Sequence, residues 1–501
     1  MNIIRGFVSI LGSKVGALIL GIIITPFLVR YLGSSLYGDY AFLVSILGIT
    51  MILANAGIFD GIRKYIAENK DDPEWTGYVF GFYVQVAGFF ALLAATIFVV
   101  IAWLGLTERF LGTEFKRYFY LLGLLVVVRQ ANSVARGGLM GLGLENRSEP
   151  LIVLEKLLFG ISAVSLLYLG YGIAGVLAGH VLAAILSAGI GFLFLFQRID
   201  VSSVFTRIPR DFPKKELVSF NGFSVILILL TASLYHVDIL FLRLITGDQA
   251  TGYYRAALVV AEFLWFVPNA LQTVLLHSSS ELWSEDRTDQ ITELSSRTTR
   301  YNLSLVLLLA IGLTALANDF IPLYFGPEFE ASIGPFLLLL PGVIGFALAR
   351  PMFAIGQGKG ELRVLIGATG VAALINILLN ALLIPTYGMF GAAIATSIGY
   401  GIMVILHTLA ARQIGFDPID DLRLGQILIV AAVSATIILG TAELVESSIL
   451  SLIIVPPLGF VTYTILSFRL GVVTPGELDS LISQLPNPVH RYLKRLIQFI
   501  T

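Results

Sequence analysis

Residues 28–40, "LVRYLGSSLYGDY", separate two long apolar runs and set Arg30 and Asp39 around a cluster of glycine and tyrosine. Residues 241–254, "FLRLITGDQATGYY", repeat the arrangement, with Arg243 ahead and Gly252 standing 214 positions after Gly38. A second echo follows. "YGIAGVLA" from Tyr171 matches "YGMFGAAI" from Tyr387, 216 positions on. Two matches in the same order and at nearly one offset identify an internal repeat, and both offsets cover six apolar runs. Repeats of whole helix bundles are a signature of secondary transporters.

Composition points the same way. Of 501 residues, 57% are hydrophobic and only 13% charged, about half of the roughly 25% that a soluble domain carries. The mean hydropathy is +0.88, and a polytopic membrane protein is the class that fits. Lys+Arg 32 against Asp+Glu 33 leaves no basic excess, which argues against nucleic acid as a partner. The absence of cysteine removes disulfides, thiolate metal sites and cysteine nucleophiles together. The first apolar run, to Val29, is too long for a signal peptide core and reads as an uncleaved span.

A helix needs about 20 mostly apolar residues to cross the hydrocarbon, and that ruler gives about fourteen spans. The expected fold is all-α and integral to the membrane. Two parallel six-helix repeats, at 1–200 and 215–411, are followed by an additional transmembrane pair at 424–469. With the N-terminus inside, most of the 32 Lys and Arg fall on the inner side, which places both termini in the cytoplasm and requires an even number of spans. The last segment, 475–501, ends in "VHRYLKRLIQFI" and reads as a basic amphipathic tail on the cytoplasmic leaflet. "GGLMGLG", with Gly137 and Gly141 one turn apart, reads as a close helix contact.

Ionisable side chains in mid-membrane cost several kcal/mol and face a cavity or a partner. Lys14 lies about two turns into the first span, where it either lines a cavity or snorkels to the headgroups. Asp60 and Arg63 lie at the inner end of the second span, and Arg129 in the fourth. Glu155 and Lys156 follow in the fifth, Asp238 in the seventh, and Arg255 and Glu262 in the eighth. The first half leans cationic, which suits an anionic head group such as a phosphate or diphosphate. Lys14, Arg63, Arg129 and Arg255 are therefore the candidate phosphate contacts. Asp60, Asp238 and Glu262 are candidates for ion coupling or for structural roles.

Several chemistries lack their residues. No P-loop, zinc-helix motif or nucleophile elbow occurs, and the five histidines are scattered. No metal or cofactor is called for. A membrane polymerase or ligase would present a large loop with paired carboxylates, whereas the outer connections are short. Transport by alternating access is the economical reading, with a polymerase or ligase as the alternative from another class.

"RYLGSSLYGDYAFL", "DILFLRLITGDQATGYYRAA" and "NILLNALLIPTYGMFGAAIATSIGY" resemble the corresponding regions of the polysaccharide-biosynthesis (Wzx-type) flippases. These belong to the multidrug/oligosaccharidyl-lipid/polysaccharide exporter superfamily. The resemblance implies two six-helix lobes in a V and a cavity lined by spans 1, 2, 7 and 8. It implies flipping of a lipid-linked oligosaccharide across the cell membrane, with membrane lipids and the glycan polymerase or glycosyltransferases of the pathway as neighbours. It also implies Lys14, Arg63 and Arg255 as phosphate contacts. A cation-coupled drug or metabolite antiporter is the alternative within the superfamily.

Overall fold

A glycine directly before a serine or an aspartate turns the chain at each copy of the repeated corner. Gly33 has φ 67° and Gly247 φ 98°, left-handed values that a side chain disfavours and glycine adopts at little cost. The computed structural model in which these corners are seen describes residues 3–69, 72–200, 202, 208–210, 212–219, 222–474 and 476–477. All regular structure among them is helical. The expected tail at 475–501 lies outside the described residues apart from 476–477.

The chain divides into two compact units, Met1–Gly252 and Tyr253–Thr501. The first begins with α1 (Ile3–Asn55), α2 (Ile58–Glu68), α3 (Pro73–Trp103), α4 (Leu106–Phe110) and α5 (Phe115–Gly141). It continues with α6 (Glu145–Ser148), α7 (Pro150–Tyr168), α8 (Gly172–Leu195), α9 (Lys214–Ser219) and α10 (Gly222–Thr246). The boundary falls within α11 (Asp248–Glu262). The second unit holds α12 (Phe266–Ser284), α13 (Thr288–Phe325), α14 (Ile333–Gly358), α15 (Leu362–Ile414), α16 (Leu424–Leu444) and α17 (Ser448–Arg469). The repeat places its boundary earlier, between 200 and 215. Compactness places it after α10 because that helix packs on α1.

Twelve helical segments among the described residues are long and apolar enough to cross a membrane. Two of them are too long to cross once. At 1.5 Å per residue a straight helix of 53 residues would run about 80 Å, against a hydrocarbon thickness of about 30 Å. Each breaks at one glycine, α1 at Gly33 and α15 at Gly388, where the backbone is not helical. In α15 the two arms face each other. Thr369 Oγ1 lies 3.2 Å from His407 Nε2, and Asn376 Nδ2 donates to the Ala395 carbonyl at 3.4 Å. Counting each as two spans gives the expected fourteen. The repeat holds to the backbone: Gly172 and Gly388, equivalent by the second echo, have φ 53° and 56°.

The expected loop around Arg30–Asp39 is shorter than its polar letters implied. Helix resumes immediately after Gly33 and runs to Asn55, breaking at Ala56 and Gly57 before α2. The Asn55 carbonyl oxygen Oδ1 accepts from the Phe59 amide at 3.3 Å across that break. Gly137 and Gly141 do pack closely. A Cβ on Gly141 would come 2.7 Å from Ile66 Cβ, and one on Gly137 would come 3.1 Å from the Phe59 carbonyl, both on or beside α2.

The two repeated corners touch one another reciprocally. A Cβ on Gly38 would run into the carbonyl oxygen of Asp248, and one on Gly252 into the carbonyl oxygen of Ser34. Ser34 and Asp248 are themselves equivalent, each the first residue past its corner glycine. The helices that leave the corners thus cross backbone to backbone. Gly38→Ala is expected to destabilise the protein by roughly 1–3 kcal/mol, the usual cost of overpacking. Gly88→Ala in α3, where a Cβ would meet nothing within 4 Å, is expected to be neutral or stabilising. Thermal melts of the purified protein in detergent separate the two.

The additional pair is anchored by a buried ion network. Arg300 on α13 is fully buried and donates to the carboxylates of Asp421 and Glu477. Arg423 joins it, with Nε 2.9 Å from Asp421 Oδ1 and Nη1 2.9 Å from the Gly471 carbonyl. The residues flanking α16 and α17 are thereby tied to α13. Burial alone would raise the Glu477 carboxyl, but the Thr474 amide and the Arg300 guanidinium outweigh it and hold the carboxyl below its usual 4.5. A carboxyl depressed by folding adds stability that is complete above its unfolded value and is lost as pH falls through the folded one. Melting temperature is therefore expected to drop below about pH 4.5 in the native chain, and less so in Glu477→Gln, which starts lower at pH 7.

Candidate functional site

Just beside the glycine contact, the corner carries its one conspicuous ion pair. Arg243, in the last turn of α10, has Nε 2.5 Å from Asp39 Oδ1, and both side chains are largely buried. The guanidinium also lies 5.5 Å from the ring centre of Phe115 on α5. Two turns further along, Ser45 Oγ and His236 Nδ1 are 3.3 Å apart, and the bare Gly48 backbone makes room for that imidazole. The second span and α10 are thus held together by glycine contact, an ion pair and a polar pair. Removing one partner of a buried pair leaves an uncompensated charge and costs about 3–5 kcal/mol. Arg243→Gln is expected to lower stability by roughly 3 kcal/mol. The double variant Asp39→Asn, Arg243→Gln is expected to recover part of that, and a double-mutant cycle on melting data measures the coupling.

From the corner a polar chain leads inward through the first unit. Tyr40 Oη lies 2.9 Å from His180 Nε2, and His180 Nδ1 lies 3.3 Å from Arg129 Nη2. A guanidinium can only donate, so Nδ1 is the acceptor, and the ring proton sits on Nε2 facing Tyr40. Phe159 stacks on the imidazole at 3.7 Å and fixes its plane. The Lys156 ammonium stands 5.7 Å from that same phenyl ring. Its stem lies against Gly21 on α1, where the missing side chain leaves a notch. Arg129 and Lys156 both act electrostatically on His180. The neighbouring carboxylate, Glu155, is engaged by Asn132 Nδ2 at 2.5 Å, and Asn132 in turn accepts from Ser187 Oγ at 3.3 Å. Among the described residues neither Arg129 nor Lys156 has a carboxylate at ion-pair distance.

The second repeat builds the same link from neutral groups. Tyr254, equivalent to Tyr40, donates to Thr396 Oγ1 at 3.0 Å, and Thr396 is equivalent to His180. Asn376 completes it at 3.5 Å. Where the first repeat places His180 and Arg129, this link has Thr396 and Asn376.

The other candidates are placed less favourably for a ligand. Asp60 and Arg63 pair with each other at 3.3 Å on half-exposed α2. Arg255 and Glu262 pair at 2.9 Å. Asp238 is wholly buried in α10, with Oδ1 accepting from the Ile239 amide at 2.7 Å. Lys14 is exposed. Its neighbour Ser13 donates to Glu149 at 2.9 Å, which sets Lys14 at the level where α7 begins. Of the candidates, Arg129 alone belongs to the buried polar chain. Tyr40, His180 and Lys156 were given no role from the sequence, although the repeat offset pairs Tyr40 with Tyr254 and His180 with Thr396.

Comparison with known proteins agrees with this architecture. The sequence profile described as polysaccharide biosynthesis protein matches residues 3–275. The chain belongs to that family. A second profile, lipid II flippase MurJ, matches residues 152–457. The chain is similar to the probable low-salt glycan biosynthesis flippase Agl15 of Haloferax volcanii, with 20% identity over 92% of this chain and 94% of that one. It is similar to the probable flippase AglR of the same organism, with 25% identity over 80% and 81%. Among solved structures it resembles lipid II flippase MurJ in an inward closed conformation, with TM-score 0.70, 15% identity, and 93% and 98% of the two chains covered. That likeness establishes the fold. With this family membership and these spans, the protein is a multi-pass membrane transporter, not an enzyme.

Proposed function

We propose that this protein flips a lipid-linked oligosaccharide, on an isoprenoid phosphate or diphosphate carrier, from the cytoplasmic to the outer leaflet by alternating access. The likeness to Agl15 along 92% of the chain supports the substrate class. The observation that carries the reading is the pair of cations in the first half of the membrane domain, Arg129 and Lys156, with no carboxylate at ion-pair distance among the described residues. Such charges are costly in a membrane unless an anion completes them. A phosphate is that anion, and a guanidinium can grip it with two donors. A substrate cation would be repelled, which disfavours the drug antiporter reading.

In this reading the six-helix repeats, 1–200 and 215–411, are the moving lobes. The repeated corners lie at the outer surface, and Asp39–Arg243 closes them. Both termini are cytoplasmic and the membrane is the cell membrane. Lys14 receives the head group at the inner mouth and Arg129 with Lys156 holds it deeper. Arg63 and Arg255, paired with Asp60 and Glu262, act as scaffold charge rather than as head-group contacts. Glycosyltransferases load the carrier on the inner side, and a glycan polymerase or transferase consumes it outside.

The test is reconstitution in liposomes with a fluorescent polyisoprenyl-diphosphate oligosaccharide, where a membrane-impermeant quencher reports arrival in the outer leaflet. Arg129→Gln and Lys156→Gln are each expected to slow flipping at least about tenfold, equivalent to roughly 1.4 kcal/mol of lost binding. The double variant Asp60→Asn, Arg63→Gln is expected to flip within about threefold of the native rate, because a pair is removed together. Undiminished flipping in Arg129→Gln, Lys156→Gln together would refute the assignment.

A further inference from the structure

The buried polar chain does more than accommodate charge, because its two ends lie at different functional places. One end is Arg129, beside Lys156. The other is Tyr40, next in sequence to Asp39 of the corner ion pair and two residues after Gly38. Between them stands His180, hydrogen bonded on both sides and clamped by Phe159. We propose that His180 is a positioning residue that transmits occupancy of the Arg129–Lys156 pair by a phosphate group to the corner held by Asp39 and Arg243. The inference rests on the flippase reading above and adds the coupling that reading requires.

The mechanism follows from donor and acceptor counting. As the side chains stand, Arg129 donates to Nδ1, which keeps the ring proton on Nε2 and makes His180 the donor to Tyr40. A phosphate oxygen is a stronger acceptor than an imidazole nitrogen and takes the Arg129 N–H, as charge-assisted hydrogen bonds are the stronger ones. Nδ1 then loses its donor. The ring is free to exchange tautomers, and its bond to Tyr40 reverses or breaks. Tyr40 sits on the second span within two turns of Gly33, so a change in that bond acts on the same helical turn that carries Gly38 and Asp39. Those two residues hold the corner through backbone contact and an ion pair. The corner is the bistable element, and the polar chain biases it.

The repeat supplies an internal control. Tyr254 and Thr396 make the equivalent link in the second unit, but Thr396 leads to Asn376, a neutral amide. Neither a hydroxyl nor an amide has a second tautomer through which to pass on a change at the far end. The equivalent link in the second unit therefore lacks the imidazole on which the proposed coupling depends.

The natural absence of cysteine makes a direct test possible. Ser45 is buried between the second span and α10, so Ser45→Cys reports by maleimide labelling whether those helices part. The variant is placed in nanodiscs containing a polyisoprenyl phosphate, the neutral polyisoprenol, or the neutral lipid plus inorganic phosphate. The phosphate lipid is expected to accelerate labelling about fivefold or more, within the ordinary range of allosteric coupling. Adding His180→Leu or Tyr40→Phe is expected to abolish the acceleration while radiolabelled polyisoprenyl phosphate still co-purifies at the native level. His180→Gln, which keeps a donor and an acceptor, is expected to restore most of it. Acceleration that survives His180→Leu would overturn the inference and leave the flippase reading intact. Loss of lipid binding in His180→Leu with no rescue by His180→Gln would also overturn it, since His180 would then belong to the binding site. Failure of the phosphate lipid to bind, or an equal response to inorganic phosphate alone, would overturn the flippase reading itself.

Discussion

Two helices can cross with their backbones in contact only where neither carries a side chain, and this protein meets that condition twice at one point. Gly38 faces the Asp248 carbonyl and Gly252 faces the Ser34 carbonyl, so each copy of the repeat supplies the gap that the other fills. The corner glycines, Gly33 and Gly247, aim the chain into that crossing. Everything near it depends on the distance being short. Arg243 reaches Asp39, and His236 fits over Gly48 to meet Ser45, because the second span and α10 lie close. A methyl group at either glycine would separate them.

Charge follows a second constraint. An ionisable group within a membrane domain is tolerated when its partner is fixed, and most of those here have one: Asp39 with Arg243, Arg255 with Glu262, Arg300 with Asp421 and Glu477. These pairs are scaffold. Arg129 and Lys156 are organised differently, since the adjacent Glu155 is committed to Asn132. The contrast separates charges held in ion pairs from charges with no ion-pair carboxylate among the described residues. Neither sequence position nor residue type makes that distinction, because Arg63, Arg129 and Arg255 look alike as letters in apolar runs.

Much of the architecture was legible because hydrophobic length is a one-dimensional property. Fourteen apolar runs, the six-span offset between "LYGDY" and "ATGYY", and the additional pair all survive in the folded chain. The corner was legible as a repeat but not as a contact. Arg30 and Arg243 each stand ahead of a corner glycine in the sequence, whereas Arg243 is buried against Asp39 and Arg30 is exposed. Glu155 and Lys156 are adjacent in sequence and so point about 100° apart on the helix. Their separate engagements, with Asn132 on α5 and the Gly21 notch on α1, depend on which helices pack together.

The sequence by itself determined the membrane class, the number of spans, the repeat and the family, since each is carried by composition, by apolar length or by spacing along the chain. The tertiary structure decided which glycines meet, which charges pair, and that Tyr40, His180 and Arg129 form one chain. Those outcomes are set by contacts between residues far apart in sequence. Tyr40 and His180 stand 140 positions apart, and Asp39 and Arg243 stand 204. Hydrogen bonds and ion pairs act over a few ångströms, and only the packed helices bring such residues within that range.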